Sequence, residues 1–268
     1  MMGKHLFFVL AILSLALSSC KTQFSKLIES NDVEAKYSTA FQLFADGKYS
    51  RAAEMFESLT VYTGGLPKDD TVHFYWGLSN YRCRDYMTAE GVFEKFVDVY
   101  PLSAFATEAK FYLMDCLYRS TYRYELDQKP TYKAISAITQ YVAENPNSEY
   151  VPRCGEMLND LKGRLEEKAF RGAHLYYHME DYLAAHYALK NVLKENADNR
   201  FREEILYYIA MSSYKYAQGS VAKKQRERYL TFVDDYFNVV SEFPESKYRR
   251  DLDPYYKKVQ KILEKSEK

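Results

Sequence analysis

Cys20 is the residue whose surroundings most clearly specify a reaction. A basic start at Lys4 and an apolar run from Leu6 to Leu17 lead into Leu17-Ser18-Ser19-Cys20, the order of an export signal that ends in small residues. The tetrapeptide reads as a bacterial lipobox: residues 1–19 are a signal peptide removed on export, and the thiol and new amino group of Cys20 are acylated. An ordinary secretory signal followed by a cysteine is the competing reading. Each buried methylene contributes about 0.8 kcal/mol, so several acyl chains hold a protein at a bilayer, whereas the apolar run itself is too short to span one. Lys21 stands where an inner-membrane retention signal carries Asp, and Thr22, Gln23 and Phe24 make no acidic run. The expectation is a mature chain anchored in the outer membrane and facing the periplasm.

The other reactive side chains fall into no catalytic arrangement. Cys83, Cys116 and Cys154 are odd in number and lack a C-x-x-C pair, so they read as small buried hydrophobes rather than a disulfide framework or a metal site. His174 and His178 lie four apart on one helical face, with His186 on the next helix. Two histidines so spaced can share a zinc ion, but His174-Leu175-Tyr176-Tyr177-His178 lacks the Glu that a zinc protease carries after its first His. Polar lining of a groove is the preferred reading of the pair, with no metal. The sequence has no Gly-rich phosphate loop and no Ser elbow, and its Asp and Glu are scattered over polar faces. It predicts neither catalysis nor a cofactor.

What remains to be positioned is a large set of aromatic residues, and helices must position them. The chain has 268 residues, of which 47% are hydrophobic and 28% charged, with 27 Tyr but only 10 Gly and 7 Pro. Few breakers and no period-2 runs predict an all-α chain with many aromatic contacts. The formal net charge is zero, so no basic field draws nucleic acid. Tyr86, Ala89, Phe93, Phe96 and Pro101 set a spacing that returns at Tyr49, Ala52, Phe56 and Leu59, at Ala134, Ile138, Tyr141 and Pro146, and at Tyr182, Ala185, Leu189 and Val192. Tyr229, Phe232, Tyr236, Val239 and Pro244 make a looser copy. This is the second-helix signature of the tetratricopeptide repeat, whose period is roughly 34 residues. The expected architecture is a superhelix of about five helix-turn-helix repeats and a C-terminal capping helix.

The expected organisation is a tether over residues 20–31, three repeats over 32–146, and two more with bridging and capping helices over 147–268. Asn31 or Asp32 caps a helix from Val33 to Ala45, Asp46-Gly47 turns into a second from Tyr49 to about Thr63, and Asp69 or Asp70 opens the next. Ser103 caps a helix reaching about Tyr122, and Thr131 opens its partner after a longer connection. Residues 149–179 keep helical spacing without a strict heptad, which suits a bridging helix better than a coiled coil. In the first repeat Lys36, Ala40 and Leu43 face the second helix, while Tyr37, Phe41 and Phe44 fall on the adjacent face. In the next, Trp76 and Gly77 face the partner, and Phe74, Leu78, Tyr81 and Arg82 fall on the adjacent face. That face lines the concave groove of a tetratricopeptide superhelix. Its aromatics are either an exposed peptide site or part of the core, and the sequence leaves both open.

Several segments together resemble the BamD family, outer-membrane lipoproteins of the beta-barrel assembly machinery. They are Tyr100-Pro101-Leu102-Ser103, Leu126-Asp127-Gln128 with Thr131, Asn145-Pro146-Asn147-Ser148-Glu149-Tyr150, Arg164-Leu165 with Lys168, Tyr176-Tyr177 with Tyr182, and Arg202-Glu203-Glu204 ahead of Ser213-Tyr214. They occur in order along essentially the whole mature chain. Two departures are visible: Thr63-Gly64-Gly65 replaces a Tyr-Pro, and Ala197 replaces a closing Pro. The resemblance implies a non-catalytic scaffold whose N-terminal repeats receive unfolded outer-membrane proteins, with Tyr37, Phe41, Phe44, Phe74, Leu78, Tyr81 and Arg82 as the candidate substrate groove. It implies that the C-terminal repeats contact a BamA-like barrel-forming subunit and other assembly lipoproteins, near Arg226, Arg228, Tyr229, Tyr248, Arg249 and Arg250. The competing view of that last set is a solvated capping helix. A competing function on the same fold is a lipoprotein that binds glycans or peptides for nutrient uptake.

Overall fold

The computed structural model describes residues 23–265; the signal peptide expected over residues 1–19 and the lipobox residue Cys20 lie outside the described residues. Among these the only regular elements are twelve helices. They are α1 (Gln23–Glu29), α2 (Val33–Ala45), α3 (Tyr49–Thr63), α4 (Asp69–Arg82), α5 (Tyr86–Val99), α6 (Ala106–Arg119), α7 (Lys129–Glu144), α8 (Val151–His178), α9 (Tyr182–Glu195), α10 (Arg202–Gln218), α11 (Ala222–Glu242) and α12 (Lys247–Lys265). The chain is all-α, as its periodicity predicts. No described helix is long and apolar enough to cross a membrane. The contacts divide it into two units: the described residues up to Thr121 with Tyr132–Val151, and Tyr122–Thr131 with Pro152 onward.

In the first unit, successive helices pair antiparallel through short turns. Asp32 and Asp85 cap α2 and α5 by accepting from the backbone N–H groups of Ala35 and Thr88, satisfying donors that a helix start leaves open. The repeated small and bulky positions form the core: Ala40, Ala52, Phe56, Leu59, Ala89 and Phe93 are fully buried. Gly77 shows why a small residue recurs there, because a Cβ on it would stand 2.8 Å from the Phe93 ring. The helix after Ser103 starts later than its spacing suggests. Ser103 Oγ accepts from Phe105 N in the turn, and α6 begins at Ala106.

Part of the expected tether is helical. Residues 23–29 form α1, and Phe24, Leu27 and Ile28 pack on the core of the first repeat. Their i, i+3, i+4 spacing is that of an amphipathic turn. Lys36, 1% exposed, donates from Nζ to the Ile28 carbonyl at 2.7 Å and lies over the Tyr62 ring, so its charge ties α1 to α2 and α3. Burial lowers its pKa.

In the second unit, α8 is a 28-residue helix that carries the loop before α7. Lys168 Nζ donates to the Tyr124 and Leu126 carbonyls at 3.0 and 2.8 Å, and Arg164 donates to the Tyr122 carbonyl. These donors satisfy loop carbonyls that have no helical partner. The following helix opens at Lys129, two residues before Thr131, whose buried hydroxyl donates to Gln128 Oε1. Phe170, Leu189, Ile209, Tyr214, Phe232, Leu252 and Val259 belong to one continuous core.

Candidate functional site

The aromatic residues of the first unit form a chain of ring contacts along the first helices of successive repeats. Tyr37 meets Phe41 at 4.9 Å between centroids, and Phe41 and Phe44 meet Tyr75 at 4.8 and 5.1 Å. Tyr75 then approaches Phe105 at 6.2 Å. Tyr37, Phe41, Phe44, Tyr75 and Phe105 are all half-buried, partly packed on neighbouring rings and partly exposed. Lys68 lies 4.4 Å from the Tyr37 centroid and adds a cation at the edge of the strip. Such a strip offers rigid contact area at low entropic cost.

Phe74 and Leu78 are corrected from groove to core, at 2% and 6% exposure. The repeat offset places Phe74 where Tyr37 stands in the first repeat, but the Phe105 ring stacks on Phe74 at 4.4 Å and Tyr112 of α6 closes it from the side. α4 is sandwiched between neighbours on several faces, so its register with α2 does not decide which ring stays open. Tyr75 and Phe105 therefore belong to the strip although the repeat register passes over them. The sequence signals Tyr75 only as an aromatic beside the register position Phe74, and Phe105 only as an aromatic two residues after Ser103.

Tyr81 is half-buried, and its hydroxyl is spent. It donates to Asp115 Oδ2 at 2.6 Å while Arg119 pairs with the same carboxylate, donates to the Tyr81 hydroxyl, and lies over the Tyr81 and Tyr86 rings. Burial, then the hydrogen bond to Asp115, pushes the Tyr81 pKa up, so it stays a neutral donor. The buried Asp115 carboxylate is thus held by the half-buried Tyr81 and the exposed Arg119, which ties α4, α5 and α6 together. Arg82 is exposed beside it.

The C-terminal set does not form one cluster. Arg226, Arg228 and Tyr229 lie in the first turns of α11, while Tyr248, Arg249 and Arg250 open α12. Because α12 folds back along α11, with Tyr236 hydrogen-bonded to Asp253, the two groups sit toward opposite ends of a helix about 30 Å long. Tyr229 is 3% exposed and belongs to the core. Arg228 donates to Ser220 Oγ and lies 4.0 Å from the Tyr216 centroid, beside a cavity of about 270 Å³ lined by Leu183, His186, Tyr187 and Thr231. At the other end Tyr248 stacks on Tyr207, and Arg249 donates to the Pro244 carbonyl.

The histidines separate as well. His174 is 5% exposed, packed on Tyr208 at 3.9 Å and on Phe170, while His178 is exposed. Burial, with His178 and Arg171 nearby, lowers the His174 pKa to about 4, so the ring is neutral at physiological pH. His186 pairs with Asp235 at 2.8 Å, and Lys190 pairs with the same carboxylate. Burial pushes the Asp235 pKa up, but these two partners outweigh it and hold the group below the usual range. Among the described residues, no three His, Cys, Asp or Glu side chains are grouped to hold a metal ion.

The family described as YfiO, outer membrane lipoprotein, matches residues 29–204, about two thirds of the sequence. The chain belongs to the YfiO family. This is the BamD family that the ordered motifs resemble. The matched span contains the whole aromatic strip and ends in the first turn of α10, so α11, α12 and the two C-terminal groups lie beyond it. A thermophilic TPR protein from Thermus thermophilus is similar over 85% of this chain and 98% of its own, at 16% identity and a TM-score of 0.34. That likeness is too loose to add to what the helices themselves establish. No curated protein matches the chain.

Proposed function

We propose that this member of the YfiO family is an acylated, non-catalytic scaffold of beta-barrel assembly, attached through Cys20 to the outer membrane and facing the periplasm. The observation that carries the proposal is the family match over residues 29–204, and the lipobox at Cys20 agrees with the family's description. The half-open strip of Tyr37, Phe41, Phe44, Tyr75 and Phe105 receives unfolded outer-membrane proteins. Such chains expose alternating apolar side chains, which partly exposed rings can cover without a fixed sequence requirement. A BamA-like barrel-forming subunit and other assembly lipoproteins dock on the C-terminal hairpin. The exposed Arg226 marks one end of it, and the exposed Arg250, with Tyr248 and Arg249, marks the other.

Replacing Tyr37 and Tyr75 together with Ala tests the receiving strip. Affinity for a urea-unfolded barrel protein is expected to fall about tenfold, equivalent to 1.4 kcal/mol, with helicity retained. Unchanged affinity in a folded double variant would contradict the role given to the strip.

A further inference from the structure

The first unit has two edges of opposite charge, and the chain enters from the acylated cysteine at the basic one. α1 runs alongside α3 in the same direction: Phe24 lies under the Arg51 guanidinium at 5.6 Å, while Asn31, just beyond α1, accepts from the Tyr62 hydroxyl. The start of α1 is therefore at the edge made by the turns Asp46–Lys48 and Cys83–Asp85. Cys20 is three chain steps before Gln23, a reach of at most about 11 Å. A lipid on Cys20 would hold this edge within about that distance of the bilayer.

The side chains there suit a phosphate surface. Lys48, Arg51, Arg82 and Arg84 are exposed; with Lys48 paired to Asp46 at 3.0 Å, the three arginines stand against Asp85, which caps α5. The far edge instead carries Glu34, Asp70, Asp98, Glu144 and Glu149 against Lys68 and Lys110. Met87, one turn from Arg84, is 82% exposed.

Arg84 has a second peculiarity. Its φ is +68°, a left-handed conformation that strains a residue with a side chain, and the corresponding turn of the first repeat uses Gly47 at φ +74°. In the second unit the same position is Glu180 at φ +61°. The turn tolerates any of the three, so the cation belongs to this edge rather than to the turn.

We infer that this edge is a lipid-facing surface: Arg82 and Arg84 lie over the phosphates of anionic lipids, and Met87 enters the headgroup layer. The inference rests on acylation of Cys20. The two contacts are complementary, since the acyl chains fix distance and the cations fix orientation. An oriented unit holds its acidic edge away from the membrane.

The test uses the full acylated protein in vesicles of phosphatidylethanolamine and phosphatidylglycerol. The exposed Cys83 sits between the two arginines and takes an environment-sensitive fluorophore directly. The control label is on Leu102→Cys in a Cys83→Ser background, since Leu102 is 98% exposed and follows α5 at the far edge, about 20 Å away. Headgroup nitroxide lipids are expected to quench the Cys83 label at least twofold more than the Leu102 label, and Arg82→Glu with Arg84→Glu should erase the difference. Equal quenching at both positions while the protein still floats with the vesicles would overturn the lipid-facing edge and leave the assembly proposal standing. A protein that does not float at all would remove the anchor on which both depend.

Discussion

At the scale of single residues, the turn that departs from the family pattern shows how a loop substitution is absorbed. Where the family has Tyr-Pro, Thr63-Gly64-Gly65 supplies two donors to one carboxylate: the Thr63 hydroxyl to Asp69 Oδ1 at 2.8 Å and the Gly65 N–H to Asp69 Oδ2 at 3.2 Å. Tyr100 donates to Oδ2 as well, at 2.7 Å. Burial raises the Asp69 pKa, but these donors and His73 outweigh it and keep the group ionised. Gly65, at φ +75°, reaches a conformation that a residue with a Cβ adopts only with strain. His174 makes a sharper prediction. Its folded pKa of about 4 lies below its ordinary 6.5, so between these values the unfolded chain binds more protons and stability falls as pH falls. The loss is on the order of 2–3 kcal/mol. Urea midpoints measured at pH 7 and pH 4.5 should move closer together in His174→Phe than in the parent, because a phenyl ring keeps the stacking on Phe170 and Tyr208 and cannot titrate. An undiminished pH difference in that variant would show that the ring is not the titrating group. The sequence placed both histidines on one face but did not reveal that Tyr208, 34 positions away, would bury one of them.

At the scale of helices, the repeat spacing read well wherever both partners come from the same repeat. Ala40 with Ala52 and Phe56, and Gly77 with Phe93, were legible because the signature encodes that crossing directly. Faces that meet the following repeat were not: Phe74 shares its register position with Tyr37, yet only Phe74 is roofed by Phe105 and Tyr112. The short α1 was not legible as a helix because its seven residues make barely two turns and carry no cap pattern. Gly77 tests the crossing. Gly77→Ala gains up to about 1 kcal/mol of helix propensity but drives a methyl to 2.8 Å from a fully buried ring, an overpacking that costs about 1–3 kcal/mol. Its melting temperature should fall. Gly172→Ala, on α8 with open space around the new methyl, should raise it. A rise for both would mean that Phe93 yields freely and that the crossing is not tight.

At the scale of the whole molecule, two helical units share one chain, and the features that suggest function are distributed unevenly between them. The aromatic strip and the basic edge belong to the first unit and lie within the span that the family shares. The exposed cations of the C-terminal hairpin belong to the second and lie beyond it. Fold class and family were legible because repeats and ordered motifs are properties of the sequence itself. The grouping of Arg226 with Arg250 was not, since closeness in sequence concealed the length of the helix between them. The central claim is the assembly role, and co-purification tests it most directly. The acylated protein, carrying a C-terminal tag, is extracted gently from outer membranes and its companions are identified and quantified by mass spectrometry. The account predicts an outer-membrane barrel with periplasmic domains at near-equal abundance, lost when Tyr248 and Arg250 are changed to Ala and Glu. Recovery of a nutrient transporter, or of no partner from membranes that contain the protein, would contradict it.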